Sequence, residues 1–232
     1  MFNIKDDTAL PLSVLISGDE EQRHVGFYIR DNADPELIHL AWHLKLCNHT
    51  AAYYSSRIGS FSILECENFS EHQIEDLVSF VKTVWRKNQN LVQYGIGSNG
   101  FSNFFDSDHS ANRELGEGLT CATFVMTVFA SQHFPIIDEL SWSARESDKQ
   151  WQEDVLEKLV CHDSGLREHV AAQRQYVGES FRFRPEEVAA CASLYQRSPV
   201  SFDEAVRGGE QLLELARTVG FLKPDLSATK VV

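Results

Sequence analysis

Apolar residues in the first third of this chain recur at every second position. In the stretch 24–30, HVGFYIR, Val25, Phe27 and Ile29 share one face, and His24, Gly26, Tyr28 and Arg30 share the other. Residues 31–35, DNADP, read as a turn, with Asp and Asn followed by a proline breaker. Alternation resumes over 36–46, ELIHLAWHLKL, with Ile38, Leu40, Trp42 and Leu44 against His39, Ala41 and His43. A third strand is expected over 60–65. Strands separated by turns in this way predict an antiparallel sheet.

From Ser70 the period lengthens. Ser70 and Gln73 have capping-box spacing, and Ile74, Leu77, Val78, Val81 and Trp85 recur at helical intervals, so a helix is expected to end near residues 88–90. Residues 94–118 are rich in Gly, Ser and Asn and show no period. A loop of this length inside a compact domain is usually functional or mobile. Residues 121–134 are too long and too apolar for a typical strand, and Pro135 stops them. They predict a buried helix despite the β-branched Thr123, Val125 and Thr127. Beyond Pro135 the pattern is helical and more polar, with starts expected at Ser147, Ser164, Pro185 and Ser201. Ser201 and Glu204 form a second capping box.

With 232 residues the chain can bury a full core, and it divides into a core over 1–140 and a helical extension over 141–232 that packs on it. A net charge of −13 without a Lys/Arg cluster argues against a nucleic-acid partner. The five cysteines are odd in number and have no C-x-x-C spacing, so no zinc ribbon, redox pair or disulfide framework is expected, and no cofactor or metal. Neither a signal-peptide pattern nor a membrane-length apolar run is seen, which predicts a cytoplasmic protein without stable membrane insertion. Delivery into other cells without a cleavable signal would leave no trace in the sequence.

The candidate chemistry centres on GLTCATFV, residues 118–125. Cys121 has two readings. Free cysteine is among the most buried residue types, which makes it a small core residue. In the first turn of a helix, however, free N–H groups and the helix dipole favour the thiolate, and Thr120 can cap that helix. A nucleophile also needs a base, and the base an orienting group. His24 opens a strand, and His39 or His43 on the next strand can lie beside it, although each histidine taken singly reads more readily as a satisfied, half-buried polar residue.

RHVGFYIR, then ELIHLAWH, then GLTCATFV far downstream resemble the circularly permuted branch of the NlpC/P60 papain-like superfamily. That branch includes lecithin:retinol acyltransferase-like and YiiX-like proteins. The resemblance spans about residues 20–134. It implies an α+β papain-like core in which an antiparallel sheet packs on a cysteine-bearing helix, with Cys121 as nucleophile, His24 as base and His39 as third member. Tyr94, in QYGIG, is similar to a tyrosine that helps polarise the substrate carbonyl in such proteins, although it lies farther from the cysteine than is usual there. The T-C-A-T-F context departs from the N-C-E-H-F of the acyltransferase-like members and is closer to the YiiX-like side.

The implied activity is acyl transfer on an amide or ester, with a thiol hydrolase (amidase or peptidase) as the first expectation. The substrate would be a peptide, a peptidoglycan fragment or a protein. Lipid or protein acyl transfer, or phospholipid hydrolysis, is the alternative on the same fold. A further alternative is an inert fold that binds a protein partner through the C-terminal helices.

His39 and His43 lie about 13 Å apart along one strand face, so only one can reach His24. Simple pairing about the centre of the 31–35 turn favours His43, whereas the resemblance favours His39 and implies a shifted register or a bulge.

Overall fold

The computed structural model describes residues 4–30, 34–98 and 100–220. The 31–35 turn lies mostly outside them. The fold is α+β. Six antiparallel strands, β1 (Ile4–Lys5), β2 (Leu12–Gly18), β3 (Arg23–Ile29), β4 (Glu36–Trp42), β5 (Lys45–Thr50) and β6 (Phe61–Glu65), form one sheet in the order β1-β6-β2-β3-β4-β5. Seven α-helices accompany it among the described residues: α1 (Ala51–Arg57), α2 (Glu71–Asn88), α3 (Cys121–Ser131), α4 (Glu146–His162), α5 (Arg167–Gln173), α6 (Pro185–Leu194) and α7 (Phe202–Thr218).

The alternation of β3 sorts its side chains as expected. Val25, Phe27 and Ile29 face the main core, where the Phe27 ring meets Phe124 and Phe129 of α3. Tyr28 turns the other way and joins Leu15, Leu37, Ile63 and Tyr54 of α1 in a smaller cluster. The main core runs past residue 140 without a break. α6 is buried almost throughout and packs Val188, Ala189, Cys191 and Ala192 into it.

Local signals fared well. α2 carries the Ser70–Gln73 capping box, α7 the Ser201–Glu204 box, and Pro185 opens α6. α4 starts at Glu146 with no side-chain cap, so Ser147 falls inside the helix. Ser164 opens a 3-10 turn ahead of α5.

Residues 36–46 are not one strand. β4 ends at Trp42, a register irregularity lies between Leu40 and Trp42, and Leu44 adopts φ 55° as the chain reverses into β5. Apolar residues keep to every second position through this hairpin turn, from Leu40 and Trp42 to Leu44 and Leu46, although Leu44 is exposed. The sequence pattern therefore hides the turn. No described helix is long and apolar enough to cross a membrane.

Candidate active site

Cys121 is the first residue of α3. Thr120 and Thr123 cap the helix reciprocally: Thr123 N–H donates to Thr120 Oγ1, and Thr120 N–H donates to Thr123 Oγ1. Every residue from Cys121 to Phe129 is buried, which explains the absence of a polar stripe. Just ahead of the helix the chain crosses a neighbouring segment at close range. Gly95 N–H donates to Leu119 O and Leu119 N–H to Gln93 O, and a Cβ on Gly118 would lie 2.7 Å from the Gly95 nitrogen. The crossing sets Tyr94 beside Cys121. Only glycine allows it.

The loop that carries Tyr94 is held from the C-terminal third. Gln173 of α5 is fully buried; its Oε1 accepts from Ile96 N–H, and its Nε2 donates to Gly97 O and Gly116 O. The His169 ring bonds Tyr94 O at 2.9 Å. None of these tethers was anticipated from the sequence, because each partner lies more than fifty residues away.

On the sheet, Phe27 pairs with Ile38 and Tyr28 with Leu37, so His39 is diagonal to His24 on the same face. Gly26 makes the approach close, since a Cβ there would lie 2.6 Å from His39 Cβ. His24 Nε2 lies 2.9 Å from His39 Nδ1 with the rings edge to face, and His39 Nε2 lies 3.1 Å from His49 Nδ1. The result is a chain of three imidazoles. The last is stacked on Tyr53 at 5.0 Å between ring centroids.

His43 plays a different part. It sits in the β4–β5 turn, where its Nδ1 accepts the Tyr94 N–H at 3.2 Å and its ring packs on His169. It supports the Tyr94 backbone rather than His24.

Cys121 and His24 line one cavity of about 260 Å³ with Trp42 and Tyr94, while α4 and the segment before α6 contribute Trp151 and Arg182. The Arg182 guanidinium lies over the Trp151 ring, 4.1 Å from its centroid. α3 packs on the opposite face of the sheet from the His24 ring, and the cavity is what Cys121 and His24 have in common. The sulfur and the His24 ring share no hydrogen bond among the described residues. Beyond His24 a second cavity of about 490 Å³ opens toward α1, lined by Ser17, His39 and Tyr54.

The imidazoles and the thiol of the site are neutral at rest. Burial drives His24 down to about 4 and His39 to about 2, the latter helped by its two imidazole neighbours, and burial also lowers His49. The expectation of a low-pKa thiolate at Cys121 is corrected. Burial pushes the thiol up to about 11, outweighing the N–H groups of Val25, Ala122 and Cys121 itself. Tyr94 is likewise raised, first by burial and then by its closeness to Cys121. Comparison with protein-family models, curated proteins and solved structures finds no match to this chain.

Proposed function

We propose that this protein is a cysteine-dependent acyl-transfer enzyme, a thiol hydrolase acting on an amide, built on a permuted papain-like core. The reading rests on one observation: a hydrogen-bonded His24–His39 pair whose first member shares a cavity with a cysteine at a capped helix N-terminus. The order along the chain, with both histidine strands ahead of the cysteine helix, supports the permuted arrangement.

Because thiol and imidazole are both neutral at rest, proton transfer accompanies attack. The Cys121 sulfur adds to the carbonyl carbon as its proton passes to the ring nitrogen of His24 that His39 does not engage, Nδ1. His24 Nε2–H, donating to His39, holds the tautomer and disperses the charge of the imidazolium. The carbonyl oxygen becomes an oxyanion facing the Cys121 N–H and the Tyr94 hydroxyl. Collapse expels the amine, which takes the proton from His24 and leaves a thioester on Cys121. Water then attacks, losing its proton to His24, and the carboxylic acid departs as the thiol reforms. An ester would follow the same steps with an alcohol as leaving group.

A peptidyl vinyl sulfone, which alkylates a nucleophilic thiol by conjugate addition, tests the proposal. The expected result is modification of Cys121 ahead of the exposed Cys161, and loss of that preference in His24→Ala. Modification of Cys161 first, with the Cys121 rate indifferent to His24→Ala, would sink the enzyme reading.

A further inference from the structure

We infer that His39, Cys47 and His49 form a binding site for a thiophilic divalent metal ion of the zinc class. The pairing of β4 with β5 sets His39 directly opposite Cys47, and His49, two residues along β5, falls on the same face. One donor atom from each residue lies within 4.8 Å of the others, and His39 Nε2 is 3.1 Å from His49 Nδ1. Tetrahedral zinc with imidazole and thiolate ligands spaces its donors about 3.3–3.6 Å apart, so small side-chain rotations close the set. Two imidazoles and a thiol suit zinc-class ions and not magnesium or calcium, which take oxygen ligands.

The surroundings also fit. A metal-bound histidine ordinarily engages a partner through its other ring nitrogen, and His39 Nδ1 already lies 2.9 Å from His24 Nε2. His49 is held in plane by its stack on Tyr53. On binding, Cys47 loses its thiol proton to solvent, and the proton shared between His39 and His49 must leave their facing nitrogens. His39 then carries its proton on Nδ1 and donates to His24, which moves the His24 proton to Nδ1. On the reading given under Proposed function, this removes the base from Cys121, so the metal would restrain the enzyme.

The test uses the full chain, stripped with a chelator and titrated with Co2+ and then Zn2+. One Co2+ per chain should bind with a thiolate-to-cobalt charge-transfer band, displaced by one Zn2+. Cys47→Ala should abolish the band and weaken Zn2+ binding about 100-fold or more, as loss of even outer partners costs 10–100-fold. His49→Ala, whose side chain lies outside the core, should weaken it comparably and covers the case that Cys47→Ala fails to fold. Cys161→Ala and Cys121→Ala should bind as wild type. Absence of saturable 1:1 binding, a band that survives Cys47→Ala, or a band lost in Cys121→Ala would each overturn the site. Zn2+ should also slow vinyl sulfone labelling of Cys121 in wild type but not in Cys47→Ala. Binding without slowing would keep the site and reject its control over Cys121, whereas no Cys121 labelling even without metal would reject the enzyme reading alone.

Discussion

His24 and His39 lie diagonally across β3 and β4 with 2.9 Å between Nε2 and Nδ1, and the residue that lets them meet is Gly26, which carries no side chain of its own. Strand alternation puts both rings on one face, and the missing Cβ leaves room for the His39 side chain over Gly26. In turn, His49 extends the contact to a third ring. Burial keeps all three neutral, so each junction is an ordinary N–H···N bond with a direction that a tautomer can reverse.

His39 and His43 should separate cleanly by substitution. His39→Ala is expected to slow vinyl sulfone labelling of Cys121 by about 100-fold, because an unoriented base samples unproductive tautomers and rotamers. His43→Ala should leave labelling within a few-fold. It should cost about 1–3 kcal/mol of stability, since the Tyr94 N–H loses its acceptor. Labelling rates and urea midpoints measured in parallel would decide, and the reverse order of damage would mean that His43 is the functional residue.

Gly26→Ala probes the same geometry from the backbone side. With only 2.6 Å to His39 Cβ, the added methyl forces the strands apart or drives His39 from its place, at about 1–3 kcal/mol. Where the variant folds, its Cys121 labelling should fall toward that of His39→Ala. Unchanged stability and labelling would show that the two strands approach less closely than described.

Acid should weaken the fold before it protonates the site. An unfolded histidine takes its proton near pH 6.5, whereas in the folded chain His24 does so only near 4 and His39 near 2. Between 6.5 and 4 the unfolded state therefore binds more protons, and stability drops on acidification by up to about 1.36 kcal/mol per pH unit for each histidine. In chelator-containing buffer, urea midpoints from pH 7 to 5 should fall more steeply for wild type than for His39→Gln. Equal slopes would mean that the imidazoles are not desolvated. Labelling of Cys121 in the same buffer should hold level down to about pH 5 and decline as His24 gains its proton.

Gln173→Leu tests whether the C-terminal helices build the site. The change strips partners from the backbone of Ile96, Gly97 and Gly116 inside the protein, for an expected loss of about 2–4 kcal/mol. Tyr94 lies at the head of that loop, so labelling of Cys121 should weaken as well. A stable variant with normal labelling would show that the loop holds itself.

What the sequence determined by itself is the set of features whose causes lie within a few residues. The capping boxes at Ser70 and Ser201, the proline that opens α6, the alternation of β3 and the all-apolar stretch of α3 are short-range and legible. Cys121 at a helix start and His24 at a strand start are of the same kind. The tertiary structure alone decided what depends on pairing and burial. It broke residues 36–46 at Trp42, turned His43 toward Tyr94, and brought Cys47 opposite and His49 diagonal to His39 once β5 existed as a separate strand. It tied the 94–118 loop to Gln173. It also set the Cys121 thiol high where the helix dipole alone suggested low, because desolvation is a property of everything packed around the sulfur and the dipole belongs to one turn.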